Sequence, residues 1–170
     1  MSISIQIDNA CASGEIVPAP TLLRRWLRAT LCHLGRAHAQ VAVRIVGETE
    51  GCELYARYRL REPSSGRTGQ PHATNVLSFP ADLPEWVDLP LLGDLVICAP
   101  VVEREATDQG KSIDAHWAHM IVHGTLHLLG HDHQDDAEAE RMEALETEIL
   151  AGLRFPPPYA PAPAFIVNAS

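Results

Sequence analysis

The sequence lacks an apolar stretch long enough to cross a membrane, and it lacks a recognisable secretory leader. No run approaches the roughly 20 apolar residues that a spanning helix needs. The opening MSISIQIDNA has neither the basic start nor the apolar centre of a signal peptide. The four cysteines form no C-x-x-C pair. We therefore expect a cytoplasmic protein with no membrane partner, whose free thiols are small structural residues rather than a redox centre.

The sequence also lacks the basic excess of a protein that coats nucleic acid by charge alone, because its formal net charge is −9. The charges are spread unevenly. Nine of the thirteen Lys and Arg residues lie in the first 67 positions, whereas residues 132–148 carry eight carboxylates against one arginine. A molecule with a basic side can still hold a phosphate backbone, although a soluble acidic protein with solvated faces fits the charge about as well.

Length and composition predict one domain with a substantial core. The chain has 170 residues, of which 46% are hydrophobic, and this is a common size for a single domain. We expect a metal-dependent hydrolase domain over residues 1–155. The Pro-rich stretch after it cannot continue a helix, so residues 156–170 are expected to form a flexible tail.

Hydrophobic periodicity predicts a small sheet followed by helices. Apolar and polar residues alternate over 3–7 and 41–45, the period of a half-buried strand. A helical stripe lies between them, with Thr21 as its expected N-cap and Gly35 as its stop. The order strand, helix, strand favours a parallel pair.

The rest of the chain extends this pattern. A weaker helix, a loop and two strand candidates are predicted in turn at 50–59, 62–72, 75–79 and 94–98. From Ala99 onward the pattern is helical in up to three pieces, the last of them over about 135–153. The expected fold is α/β (α+β), with a single small mixed sheet of about four strands, helices covering it, and a metal site at a helix end.

The most specific feature is a cluster that holds six of the nine histidines. Its centre has the pattern H-x3-H-x5-H, formed by His123, His127 and His133. Residues four apart on a helix project from the same face, and Gly130 suits a left-handed turn that brings His133 back toward the pair. Three neutral imidazoles leave one position of a tetrahedral ion open, as in catalytic zinc sites. We therefore predict one zinc ion per chain, although another ion that favours imidazole fits the same ligands.

The neighbouring histidines leave an alternative open. His131 lies four residues after His127 and is the rival third ligand. We prefer His133 because it lies beyond the glycine turn. His119 and His116 lie about one and two turns before His123, on related faces of the helix. We interpret them as residues that pack against the site or support its ligands.

The same spacing resembles that of metzincin metalloproteases, which carry H-E-x-x-H-x-x-G-x-x-H. Those enzymes use the glutamate as a general base toward the zinc-bound water. This chain has Gly124 at that position, and glycine cannot accept a proton. The sequence therefore disfavours peptide hydrolysis by that mechanism.

Together with later motifs, the run HGTLHLLGHDH resembles the signature of the YbeY family of bacterial ribosomal-RNA-processing endoribonucleases. TNVLSFP at 74–80 and LGDLVIC at 92–98 match in the right order, and Tyr58-Arg59 resembles the family's Tyr-Arg pair. The likeness covers roughly residues 41–150, and the family's third histidine falls at His133. Three departures are an insert between Arg59 and Thr74, Tyr55 in place of asparagine, and His131 in place of an aromatic residue.

The resemblance implies a function and a set of partners. It implies a single-strand-specific, zinc-dependent endoribonuclease in maturation of small-subunit ribosomal RNA and in ribosome quality control. The implied partners are ribosomal RNA, the small ribosomal subunit, and ribosomal or GTPase proteins. Arg59 is implied to hold a phosphate, for which a guanidinium is well suited. Asp94 either orients a ligand histidine or merely begins a strand.

Two questions stay open on the residues alone. The attacking group is either a water activated at the metal or the 2′-hydroxyl of the RNA itself. The chain could also be an assembly factor whose metal is mainly structural, or a hydrolase of another class. An open fourth metal position would indicate the endoribonuclease, whereas a position filled by a protein atom would indicate the assembly factor.

Overall fold

The computed structural model describes residues 2–11, 16–58, 74–84, 86–132 and 134–159. Within these ranges the elements are β1 (Ser2–Asn9), α1 (Pro20–His33), β2 (His38–Val46), α2 (Glu48–Tyr58), β3 (Val76–Pro80), β4 (Leu91–Cys98), α3 (Ala99–Asp108), α4 (Ile113–Leu128) and α5 (Asp136–Gly152). The predictions for Arg59, for the loop at 62–72 and for His133 lie outside the described residues.

One four-stranded mixed sheet forms the centre of the fold, in the order β1-β2-β4-β3. The β1, β2 and β4 strands are parallel, with Ile5 opposite Val41 in the β1–β2 register. The short edge strand β3 is antiparallel to β4. The predicted α/β fold with a small mixed sheet is therefore confirmed, as is the parallel pair that the strand–helix–strand order favours.

The two faces of the sheet bury different cores. Val43 and Leu95 belong to the large core, which they share with α1 and the fully buried Trp117 of α4. Val96 and Cys98 point to the opposite face and join a smaller cluster beneath α2. Because side chains alternate along a strand, the odd-numbered and even-numbered residues of β4 face opposite sides of the sheet.

The central helix is α4, which packs against the sheet as well as against α1, α3 and α5. Burial on nearly all sides explains why its sequence is apolar around most of its circumference, with Trp117, Ile121 and Leu126 fully buried. Residues on this helix are therefore held in fixed positions. Among the described residues, no helix combines the length and apolarity that crossing a membrane requires.

Two boundaries differ from the sequence predictions. The first helix begins at Pro20, with Ala19 at its N-cap, so the prediction of Thr21 as the cap is wrong. Proline fits the first helical position because its φ is already helical and its missing N–H needs no partner there. The strand predicted at Asp94 begins earlier, at Leu91. Asp94 is therefore an interior residue of β4 and does not begin it.

At Gly124, α4 lies close against the sheet. A Cβ added there would lie 2.9 Å from Leu95 Cδ2 and 3.1 Å from Val76 Cγ2. The Ser78 hydroxyl also donates a hydrogen bond to the Gly124 carbonyl oxygen at 3.0 Å. Metzincin proteases carry their general base at the position of Gly124. In this chain that position faces packed strands, which leave no space for a glutamate side chain.

We expect Gly124→Ala to lower the free energy of unfolding by about 1–3 kcal/mol, because overpacking forces neighbouring side chains to shift. Chemical denaturation of the metal-free protein measures the change. Gly152→Ala is the matched control, since its added Cβ would meet nothing within 4 Å and alanine favours a helix. Equal stability of the Gly124 variant and the wild type would contradict the close packing.

Candidate metal centre

Both ends of α4 are capped by their own sequence. At the start, the Ser112 hydroxyl accepts a hydrogen bond from the Ala115 N–H at 3.1 Å. At the end, Gly130 adopts a φ of 93°, and the His131 N–H donates to the Leu126 carbonyl oxygen at 3.0 Å. This is the left-handed helix stop that the glycine predicts. The chain turns away from the helix axis at Gly130, three residues after His127.

His123 and His127 face one another on the last two turns of α4. Their Nε2 atoms lie 3.2 Å apart. Two imidazole nitrogens that share a tetrahedral zinc at about 2.0–2.1 Å stand about 3.3 Å from each other. The pair therefore has the spacing that one small ion requires, and the donor set fits zinc.

A buried carboxylate lies behind His123. Glu146 of α5 has no exposed side-chain surface, and its Oε1 lies 3.3 Å from His123 Nδ1. Its Oε2 accepts a hydrogen bond from His119 Nε2. The Tyr159 hydroxyl donates to both oxygens, at 3.1 and 3.0 Å. Each carboxylate oxygen thus has donors, as a buried charge requires.

This arrangement favours one tautomer of His123. Glu146 accepts a hydrogen bond, so the proton of a neutral His123 ring belongs on Nδ1. The Nε2 lone pair then points toward His127. A carboxylate on the far nitrogen is the usual support of a metal-ligating histidine, since it sets both the tautomer and the orientation of the ring.

Hydrogen bonding keeps Glu146 ionised despite its burial. Burial is the largest influence and raises the pKa of this carboxyl. Hydrogen bonds from His119 and His123 are the main opposing influences, and they lower the pKa to about 2. For His119 the balance is reversed: burial lowers its pKa more than Glu146 raises it. A neutral His119 beside an ionised Glu146 is the state that follows.

His119, His123 and Glu146 form a group that could bind a metal ion, with ligand atoms within 4.8 Å of one another. The rival ligand His131 is not part of this group in the described chain. Two arrangements therefore compete at His123. One uses its Nδ1 together with His119 and Glu146, whereas the other uses its Nε2 together with His127. In the first, His119 and Glu146 are buried and already hydrogen-bonded to each other. In the second, both histidines are half-buried.

Comparison with known proteins gives the family. A profile of the family described as Endoribonuclease YbeY matches residues 7–154. The protein named Endoribonuclease YbeY from Stutzerimonas stutzeri (strain A1501) is 53% identical over 157 residues, which cover 92% of each chain. Its namesake from Cellvibrio japonicus (strain Ueda107) is 50% identical and aligns over 92% of this chain and 82% of the relative. The chain belongs to the endoribonuclease YbeY family.

The fold has a counterpart among solved structures as well. The solution structure of TM1509 from Thermotoga maritima superposes with a TM-score of 0.54 and covers 89% of this chain and 91% of that one. Because only 24% of the residues are identical, this likeness shows a shared fold and nothing more. The resemblance to YbeY proteins that the motifs indicate is thus confirmed by the family match and by the relatives.

Of the residues predicted from sequence to act in this YbeY-family chain, Asp94 lies apart from the histidines. It is exposed and shares a face with Val96, on the side of the sheet opposite α4. There it lines a cavity of about 630 Å³ together with Tyr58 and Phe79. The carboxylate behind His123 is thus Glu146 and not Asp94, and a role for Asp94 stays a prediction.

Sequence reasoning assigned no role to Glu146, although a signal for it was present. Met142, Glu146, Ile149 and Leu150 follow one another at helical spacing, and all four are buried. A single carboxylate within an apolar stripe of α5 requires partners, because an unpaired buried charge is costly. The histidines of α4 were the available partners.

Proposed function

We propose that this chain is a zinc-dependent, single-strand-specific endoribonuclease of the cytoplasm that acts in maturation of small-subunit ribosomal RNA and in ribosome quality control. The observation that carries the proposal is the 3.2 Å approach of the His123 and His127 Nε2 atoms, with Glu146 behind His123. Membership of a family whose relatives are named endoribonucleases supports RNA as the substrate.

We assign the ligands of one zinc ion to His123, His127 and His133. His133 follows the turn at Gly130, where the chain leaves the axis of α4. Zinc bound there would supply a positive charge that polarises a phosphoryl oxygen and lowers the pKa of a water molecule at its open position. The chain itself contributes the fixed Nδ1–H tautomer of His123 and the ionised Glu146 that enforces it.

The substrate side of the proposal rests on Arg59 and Asp94. Arg59 follows Tyr58, a half-exposed residue at the cavity that Asp94 also lines. We assign Arg59 to binding a phosphate of the RNA, because a guanidinium stays charged and donates two parallel hydrogen bonds. We assign Asp94 to the same RNA-binding cavity, since it lies across the sheet from His123 and His127.

Arg59→Glu should leave the zinc content unchanged and abolish RNA cleavage, since a carboxylate repels the phosphate that the guanidinium is proposed to hold. Elemental analysis and a cleavage assay on the same preparation check both halves. Arg36→Glu makes the same charge change at a residue that the structure shows to be exposed, and it serves as the control. Unchanged cleavage by the Arg59 variant would return Arg59 to the ordinary surface residues.

The experiment that tests the function compares cleavage of single-stranded and double-stranded RNA of the same sequence, before and after chelation. We expect cutting of the single strand only, loss on chelation, and recovery when zinc is returned. A His123→Ala preparation controls for contaminating nuclease. His38→Ala is the matched control, because His38 is an exposed histidine on β2. Cutting that survives chelation would contradict the proposal.

One observation favours a second function. The His119, His123 and Glu146 group is buried, with exposed side-chain fractions of 8%, 22% and 0%, as suits a closed structural metal site. The chain would then be a ribosome-assembly factor with little hydrolysis of its own. It would act by binding the small subunit and ribosomal or GTPase proteins. Zinc that is lost in His119→Ala but retained in His127→Ala, without RNA cleavage, would select this second function.

A further inference from the structure

The chain beyond α5 returns to the metal centre. After Gly152 the backbone turns at Arg154, whose φ of 68° lies in the left-handed region, and the Phe155 N–H donates to the Leu150 carbonyl oxygen at 2.9 Å. The Phe155 ring then packs edge-on against Trp26, with centroids 5.8 Å apart. The turn and the aromatic contact together redirect the chain away from the helix axis.

A second anchor holds the segment that follows. Pro158 is buried, and its carbonyl oxygen accepts a hydrogen bond from Lys111 Nζ at 2.7 Å. Lys111 precedes α4, the helix that carries the histidines. Within the stretch that composition predicts to be a flexible tail, Pro158 is thus anchored to the segment before α4, and the next residue, Tyr159, is placed over Glu146.

The Tyr159 hydroxyl spans both oxygens of the Glu146 carboxylate, at 3.1 and 3.0 Å. Its ring lies edge-on to His119, with centroids 5.2 Å apart. Of the contacts that hold the carboxylate, the one to His123 Nδ1 is the longest, at 3.3 Å. A carboxylate that rotates would therefore lose His123 first. The phenol is the group that spans both oxygens and resists that rotation.

We propose that Tyr159 is a positioning residue for the metal centre: its hydroxyl fixes the Glu146 carboxylate, which in turn holds the His123 ring with its Nε2 directed at the metal. Residues 153–159 are then part of the support of the metal site. This inference rests on the proposed function, because it assumes that zinc binds to His123 Nε2.

The test compares wild type, Tyr159→Phe and Thr147→Val. The phenylalanine variant removes one hydroxyl and keeps the ring. The Thr147 variant removes a hydroxyl on α5 that, among the described residues, donates within its own helix to the Glu143 carbonyl oxygen. Zinc affinity is measured by competition with a chromophoric chelator, and the thermal midpoint of each metal-free protein is recorded. Side-chain ¹⁵N spectra of the metal-free proteins report the tautomer of His123.

We expect Tyr159→Phe to bind zinc on the order of 10-fold more weakly, with a His123 signal that reports a mixture of tautomers, while Thr147→Val matches wild type in both. A merely structural role would lower the thermal midpoint without changing the tautomer. Wild-type zinc affinity in Tyr159→Phe would overturn the inference and leave the proposed function intact. If the wild type itself binds no zinc, the proposed function fails. The tautomer of His123 is measured without metal, so an unchanged tautomer in Tyr159→Phe would overturn the inference in either case.

Discussion

His127→Ala is expected to lose the zinc and the RNA cleavage together. The variant removes one of the two nitrogens that face each other across 3.2 Å, and a tris-histidine site that loses one ligand holds zinc far more weakly. Because metal binding is coupled to folding, the thermal midpoint of the zinc-loaded protein should fall as well. Elemental analysis gives the metal content, and a cleavage assay on the same sample gives the activity.

Two further variants make this prediction specific. His119→Ala removes a histidine of the same helix that contacts Glu146 rather than His127, so it should weaken zinc binding without abolishing it. His38→Ala should retain both zinc and activity. Full zinc content in His127→Ala, with loss in His119→Ala, would instead place the ion in the buried group of His119, His123 and Glu146.

Glu146→Gln is expected to destabilise the metal-free protein by about 3 kcal/mol, the cost of disrupting a buried, hydrogen-bonded charge. The amide places an N–H donor where His119, His123 or Tyr159 already donates. Zinc affinity should also fall by about 10- to 100-fold, as is typical when the support of a ligand histidine is removed. Chemical denaturation and chelator competition measure the two effects separately.

The pH dependence of the free energy of unfolding provides a second test of the role of Glu146. The folded-state pKa of Glu146 is about 2, below its ordinary value of 4.5. The ionised form therefore stabilises the metal-free fold fully above about pH 4.5, and this stabilisation of about 3 kcal/mol is lost as the pH falls toward about 2. Glu146→Gln should flatten that part of the curve, whereas Glu140→Gln, at an exposed position, should not. Parallel curves for wild type and Glu146→Gln would contradict the assigned ionisation.

The fold could be predicted from the sequence where hydrophobic periodicity was strong. The alternation around Ile5 and Val43 predicted β1 and β2, and their parallel pairing followed from the helix between them. The helix stop at Gly130 was also predictable, because glycine adopts positive φ without a steric penalty. The start of α1 was misjudged because Thr21 is a good cap in isolation, whereas Pro20 fits the first turn better.

The candidate site was predictable in part. The spacing of His123 and His127 was enough to place both rings on one face, since that follows from helical geometry alone. The role of Glu146 was not, because it depends on how α5 packs against α4, and periodicity within one helix does not specify its partner. The place of Asp94 was not predictable for the same reason, because its distance from His123 and His127 depends on which face of β4 meets α4.

Anomalous diffraction at the zinc absorption edge, from crystals of the purified wild-type protein, tests the central claim most directly. The account predicts one peak per chain, about 2.0–2.1 Å from the Nε2 atoms of both His123 and His127, with Glu146 beyond the first coordination sphere. A peak within bonding distance of His119 and Glu146, or none in protein that cleaves RNA, would contradict it.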